Sequence, residues 1–344
     1  MTPSWRSQPG AANSPRIRSW SRWRRRRKTD VQLDLLAIGL TTIDITVHPV
    51  VSLPEDEAGQ IVEKIVLSPA GTAGGTALIA QKLGLCTGIA SAVGDDPQGL
   101  LIRSMFDSAG VDTSLLAIDP DWPTSTTVLP IRPNGDRPNW HMMGASIFAP
   151  VTDAVFAALA HTAAVHWGGV GFPGAAGKGA DLLRDAQARG VFTSCDLIAP
   201  SEAAQADLDT LLPHVDLFMP SLAEVRELAG TDDPLEGARR FMARGAGGCL
   251  IKMGGEGALL ILPDEQMQVP AHRIDPVDTT SCGDSLCAGY IAGRAQGLSP
   301  AEALRFGVAT AAQVALGVGT LGKLESYDAT LAFMRDTPLK EESR

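Results

Sequence analysis

From Val31 onward the chain alternates short apolar runs, each bounded by Gly, Asp or Pro, with Ala/Leu-rich segments whose apolar residues recur at helical spacing. Apolar runs without polar alternation fit strands buried on both faces, and such strands are parallel strands covered by helices. The pattern predicts an α/β fold: a doubly wound, mostly parallel sheet flanked by helices. Strands are expected at 35–39, 87–93, 163–167, 191–195, 217–219 and 249–252, with 258–262 following. Helices fit 76–83, 99–109, 178–188, 222–228, 235–243, 284–296 and 301–315. Two stretches, about 45–67 and 124–145, break the rhythm with β-type alternation and turn residues, and together predict a small β-sheet lid. Within the second, Pro133-Asn134-Gly135-Asp136 reads as the turn of a hairpin, with Asn-Gly supplying the positive φ angles.

Charge divides the chain sharply. Residues 1–28 carry eight arginines, one lysine and no acid, which leaves 20 basic against 39 acidic residues in the remainder, a body near −19. A folded part so acidic repels phosphate backbones, so nucleic acid is not its expected partner. Residues 1–29 read as a disordered basic tail; the alternatives are an arm for nucleic acid or a membrane surface, or a targeting segment. Residues 30–335 are expected to form one domain, with 336–344 as a C-terminal tail. No apolar run approaches about 18 residues, so no membrane span is expected. Five scattered cysteines without a C-x-x-C pair suggest neither a disulfide framework nor a zinc site, and fit a cytoplasmic protein. The six histidines lack metal-ligand spacing, although His141 and Trp140 on the hairpin are candidates for substrate contact.

The chemistry concentrates in Asp278-Thr279-Thr280-Ser281-Cys282-Gly283-Asp284, where small residues lead directly into an apolar helix. Such a junction aims free backbone N–H groups and the positive end of the helix dipole at one point, which suits a transferring phosphoryl group. Asp284 is placed to take a proton from an attacking hydroxyl; a carboxylate there is equally a helix cap.

This stretch resembles the C-terminal signature of the ribokinase-like (PfkB) carbohydrate kinase family, usually D-T-T-G-A-G-D, with Ser281 and Cys282 where Gly and Ala are usual. The resemblance implies Asp284 as catalytic base, and Ser281, Cys282 and Gly283 as backbone donors of an anion hole, with Thr279 on the nucleotide side. It runs in order along nearly all of 31–335. The segment 39–44 is similar to the family's first strand, which makes Asp44 the substrate anchor. The segment 69–77 resembles the N-terminal signature, with Gly71, Thr72 and Gly75 at the substrate and Gly75 standing where Asn is usual. Pro220-Ser221-Leu222-Ala223-Glu224 resembles a P-N-x-x-E segment, implying Ser221 near the nucleotide and Glu224 near Mg²⁺, through water. The 252–257 turn is similar to a K-x-G-x-x-G element, which places Lys252, Gly254 and Gly257 at the nucleotide. Arg137 falls where relatives carry a G-x-R element that meets a substrate phosphate or carboxylate.

The resemblance implies an enzyme that uses ATP and Mg²⁺ to phosphorylate a primary hydroxyl of a sugar or sugar-like molecule. A nucleoside kinase of the same fold is the alternative, and a catalytically reduced ligand-binding or regulatory module is the second. Dimerisation through exposed lid edges is a further expectation. Two rival motifs are weaker. Gly169-Val170-Gly171-Phe172-Pro173-Gly174 has the form of a dinucleotide loop, but Pro173 delays the helix. The 317–323 segment approaches a phosphate-binding loop but ends in Leu324, without the Ser or Thr a Mg²⁺ ion needs there, and reads as a C-terminal loop flanking the adenine.

Overall fold

The computed structural model describes residues 32–148, 151–172 and 175–341; the basic tail expected at 1–29 lies wholly outside them. The predicted apolar runs become strands β1 (Leu33–Gly39), β4 (Thr87–Gly94), β8 (Thr162–Val170), β9 (Phe192–Leu197), β10 (Leu217–Phe218), β11 (Cys249–Lys252) and β12 (Ala258–Ile261). With β5 (Asp112–Asp119) and β13 (Gln266–Val269) they form a nine-stranded sheet in the order β13-β12-β11-β10-β9-β8-β1-β4-β5. All neighbours pair in parallel except β11–β12 and β12–β13. Run 258–262, expected to continue the parallel set, instead turns back antiparallel, because the short 253–257 connection has no room for a crossover helix. Strands β5 and β13 escaped prediction because edge strands carry mixed polar patterns.

The helices are α1 (Gly74–Lys82), α2 (Pro97–Ala109), α3 (Asp153–Ala158), α4 (Ala175–Ala188), α5 (Glu202–Leu211), α6 (Leu222–Ala229), α7 (Pro234–Ala243), α8 (Cys282–Ala295), α9 (Pro300–Ala315) and α10 (Tyr327–Asp336). Alternate residues of β1 feed opposite layers: Leu36 and Ile38 pack with Trp167, Leu183 and Phe218 on one side, and Leu35 packs with Ile291 and Phe306 of α8 and α9 on the other. The sheet is therefore sandwiched, and β1 carries almost no exposed surface. Strand order reverses beside β1, with β4 on one flank and β8 on the other, which opens a crevice at the carboxyl ends of the strands.

A second sheet, β3-β2-β6-β7, is built from β2 (Thr42–His48), β3 (Lys64–Ala70), β6 (Thr126–Pro130) and β7 (Trp140–Met142) and forms the lid. Register gives it two unlike faces. Asp44, Thr127 and His141 share one face, with Thr127 Oγ1 3.0 Å from His141 Nδ1. Ile45, Leu67, Val128 and Trp140 share the other. His141 thus shares the face of Asp44, whereas Trp140 lies on the opposite face.

The hairpin tip differs from the two-residue turn expected. Arg132 N–H donates to the Asp136 carbonyl and Gly135 N–H to the Arg132 carbonyl, each at 2.9 Å. Among these residues only Gly135 has a positive φ, of 83°, so Asn134 does not supply one. The loop is a turn closed by a glycine bulge, in which Pro133 presets the bend.

The C-terminal part is held by specific contacts. Within 336–344, Leu339 bridges His272, Lys340 N–H donates to the Ala271 carbonyl at 2.8 Å, and Lys340 Nζ donates to the Gly255 carbonyl at 3.0 Å. The described part of this segment is therefore pinned against the domain, while 342–344 lie outside the described residues. The loop after α9, expected to flank the adenine, is bonded to its neighbours: Gly319 N–H donates to Asp278 Oδ2 at 2.9 Å, and Thr320 Oγ1 lies 3.0 Å from Ser68 Oγ of the lid. No helix of the described residues is long and apolar enough to cross a membrane.

Helix α8 is buried along one continuous run from Ser285 to Gly293. A Cβ at Gly289 would lie 2.8 Å from the Gly307 Cα, so glycine there lets α8 and α9 touch backbone to backbone. The helix begins two residues earlier than expected. Ser281 is its N-cap, without a side-chain capping bond and with φ 54° and ψ 13°, a left-handed conformation that a side chain opposes. Ser281→Gly is expected to raise unfolding stability by about 0.5–1 kcal/mol, the relief of strain less the entropy of glycine. A urea melt with unchanged m-value checks this; a lower midpoint would show that the serine hydroxyl anchors the turn.

Candidate active site

The crevice at the strand ends is a cavity of about 560 Å³, lined at one end by Thr279, Cys282 and Gly283 and at the other by Gly254, Gly257 and Ala312. Helix α8 starts at its wall. Cys282, Gly283 and Asp284 are the first three helical residues, so their N–H groups have no acceptor within the helix. The Cys282 N–H reaches the Thr279 carbonyl only at 3.4 Å. The turn that feeds this junction is stiffened by Asp278, which accepts from Thr280 N–H at 2.8 Å and from Gly319 N–H at 2.9 Å.

Asp284 does not cap its helix; it sits inside the first turn and points its carboxylate across to α1. A Cβ on Gly75 would lie 3.0 Å from Asp284 Oδ2. The missing side chain at 75 thus makes room for Asp284, a consequence the sequence did not reveal. Burial first, and the nearby Asp196 carboxylate second, raise the Asp284 pKa to about 7, against the opposing pull of Lys252, the Ser281 hydroxyl and Arg137.

Asp44 is buried on the inner lid face, and its Oδ1 has no hydrogen-bond partner. Burial raises its pKa to about 7, while the Thr127 hydroxyl and Arg137 pull it down and Asp278 pushes it further up. A buried carboxylate oxygen left without a donor suits a ligand hydroxyl. Arg137 stands between these groups: its Nε donates to Thr279 Oγ1 at 3.2 Å, and its charge acts on both Asp44 and Asp284. Thr279 also faces the Gly135 carbonyl at 3.5 Å, so the lid tip rests against the turn that enters α8.

Other expected site residues have local work of their own. Thr72 donates its hydroxyl to the Gly168 carbonyl at 2.7 Å, and the Gly71 carbonyl accepts from Gly75 N–H at 2.7 Å, so both shape the turn into α1. Ser221 and Glu224 close a capping box on α6: Ser221 N–H donates to Glu224 Oε2 at 2.6 Å, and Glu224 N–H to Ser221 Oγ at 3.3 Å. One Glu224 oxygen is therefore engaged, although both residues line the cavity. Burial raises the Glu224 pKa, with Lys252 opposing it. The Cys282 thiol is pushed up to about 12 by burial and stays neutral, with Sγ 3.7 Å from the Ala311 carbonyl.

Sequence reasoning missed Asp196. At the end of β9, its two oxygens accept from Lys252 Nζ at 2.6 Å each, and Cys287 Sγ of α8 lies 3.6 Å from Oδ2. A carboxylate at the carboxyl end of a buried parallel strand was the available signal.

Comparison with known proteins agrees with this geometry. The pfkB family carbohydrate kinase profile matches residues 32–326. A 1-phosphofructokinase of Haloferax volcanii is 31% identical over 222 residues, 64% of this chain and 72% of that protein. A nucleoside kinase of Methanothermobacter thermautotrophicus is 25% identical over 301 residues, covering 83% of this chain and 91% of the relative. Among solved structures, an Arabidopsis thaliana ribokinase complexed with ribose and ATP superposes with a TM-score of 0.75 at 21% identity, covering 89% of this chain and 99% of the other. With a match spanning most of its length and the same sheet-and-lid architecture, the chain belongs to the pfkB family of carbohydrate kinases.

Proposed function

We propose that this kinase transfers the γ-phosphoryl group of ATP to a primary hydroxyl of a sugar or sugar-like acceptor, with Asp284 as general base. The observation that carries the reading is the position of Asp284: a half-buried carboxylate poised near neutrality, in the same helical turn as N–H groups that have no acceptor within the helix. Asp44 holds the acceptor through the oxygen that has no donor, and Asp284 accepts the attacking hydroxyl's proton. The N–H groups of 282–284 take up the charge that spreads over the phosphoryl oxygens, as preorganised donors do without reorganising. Contact between the lid tip and Thr279 closes the crevice and limits hydrolysis by water.

The residues fit a nucleotide. Glycines 254, 255 and 257 admit a close backbone approach, and Val308, Ala311 and Ala312 offer an apolar slot for a base. No group of three or more His, Cys, Asp or Glu among the described residues could hold a metal ion unaided. That suits Mg²⁺, which binds through substrate phosphates and few protein carboxylates, with Glu224 as the protein's contribution. When bound, Mg²⁺ neutralises charge on the phosphates.

The acceptor class has two readings. Arg137, whose Nε bonds Thr279 and whose guanidinium lines the crevice, favours an acceptor bearing a phosphate or carboxylate, in keeping with the phosphofructokinase relative. Similarity to a nucleoside kinase over 83% of the chain supports a nucleoside instead. A panel of sugars, sugar phosphates and nucleosides, read as ADP release, separates the two. With the acceptor so found, kcat/KM should rise with pH through about 7, because the base works deprotonated. Asp284→Asn should stay folded and bind ATP but lose about 10²–10⁴-fold in kcat. Unchanged turnover, or an acid limb lying near pH 4, would remove Asp284 from the mechanism.

Two copies are proposed to pair through the lid, whose outer face exposes Ile65 at 58% and Trp140 at 55%. Sedimentation at micromolar concentration tests this: a dimer lost on Ile65→Glu/Trp140→Glu is expected, and a wild-type monomer throughout contradicts it.

A further inference from the structure

We infer that Lys252 is a further catalytic residue, whose ammonium contacts the transferring phosphoryl group, and that Asp196 positions it. The inference rests on the reading that this group docks at the start of α8. Three observations place the ammonium there. Lys252 lines the cavity although its side chain is only 11% exposed, so its remaining open surface faces the crevice. A Cβ on Gly283 would lie 3.6 Å from Lys252 Nζ, 3.7 Å from Cδ and 3.8 Å from Cε, so the lysine lies alongside the second helical residue of α8. Asp196 grips Nζ through both oxygens at 2.6 Å and is itself fixed by Leu197 N–H at 2.8 Å.

An ammonium carries three N–H donors. Both Asp196 contacts come from one side, where the carboxylate is 1% exposed, and the remaining donor capacity is on the cavity side. A buried ion pair is a poor way to stabilise a fold, since well-packed apolar residues of equal volume serve as well or better. Placing a fixed cation beside developing negative charge is a use that apolar residues cannot replace. The local charge inventory points the same way: Lys252 is surrounded by Asp196, Glu224 and Asp284, each of which acts on it or on its neighbours. Without the lysine, the charge of Asp196 and Glu224 would stand without a cation beside an incoming polyphosphate.

In the step itself, the acceptor oxygen bonds to Pγ as the Pγ–O bond to the β-phosphate breaks. The acceptor proton passes to Asp284, and the electron pair leaves with ADP. Lys252 keeps its proton throughout; burial alone would push its pKa down, but Asp196 and then the other nearby acidic groups hold it above the ordinary lysine value.

The test separates a catalytic cation from a structural pair. Lys252→Met alone leaves the buried Asp196 charge without its cation, so the informative protein is Lys252→Met/Asp196→Asn, in which neither charge remains. We expect a melting temperature near wild type, kcat lower by about 10²-fold, as for loss of one preorganised donor, and KM for ATP changed less than about threefold. Recovery of wild-type kcat in the double variant overturns the inference. The wild-type protein provides an arm that needs no folded neutral variant. With lysines labelled at ¹⁵Nζ, and the Lys252 resonance assigned through its loss in Lys252→Arg, Mg·ADP with aluminium fluoride must shift that resonance; an unmoved signal overturns the inference too. If no acceptor of the panel elicits ADP release from wild type, the kinase reading itself fails, a result distinct from either outcome.

Discussion

Burial of helix Cys282–Ala295 is the constraint on which the site depends. Packed against the sheet through Leu286 and Ile291 and against its neighbour helix at Gly289, it cannot shift without opening the core. Its N-terminus is consequently a fixed object: Cys282 and Gly283 held at the wall of a crevice, with the Asp284 carboxylate beside them against Gly75. Asp278 adds a second restraint by tying the entry turn to the loop at Gly319. Preorganisation of this kind is what phosphoryl transfer asks of a protein, since the reaction gains more from placement than from covalent chemistry.

Charge around that N-terminus is arranged against the usual preference for stability. Asp44 is buried and Asp284 half-buried, both with pKa values near 7, and a carboxylate whose pKa is raised by folding is a destabilising feature at neutral pH. The sign is clear: each binds its proton more tightly folded than unfolded, so stability falls as pH rises from about 4 through about 7. Lys252, clamped by Asp196, offsets part of that repulsion from below, and Arg137 on the lid offsets it from above. The second cation is on the lid sheet's hairpin and the first on the main sheet, so the two reach the crevice from different layers.

Much of this was legible in the residues. The central strands and the long helices followed from apolar runs and helical spacing, and the 278–284 segment declared its chemistry through small residues ahead of an apolar helix. Edge elements did not: β5 and β13 alternate imperfectly, and the short helix after Ser201 is amphipathic over only ten residues. Side-chain partnerships across the sheet were beyond reach for a different reason. Asp196 and Lys252 are 56 positions apart and meet only because β9, β10 and β11 lie side by side. Gly75 was read as a lost amide, whereas its consequence is spatial, namely room for Asp284. Ser221 and Glu224 were read by resemblance as ligands, while their spacing of three also spells a capping box, which the structure forms.

A structure of the protein with a non-hydrolysable ATP analogue and Mg²⁺ tests the central claim most directly. The account predicts the terminal phosphate within hydrogen-bonding distance, about 3 Å, of the Gly283 and Asp284 N–H groups and beside Lys252 Nζ. A nucleotide seated with its phosphates elsewhere, leaving the start of that helix to solvent, would contradict it.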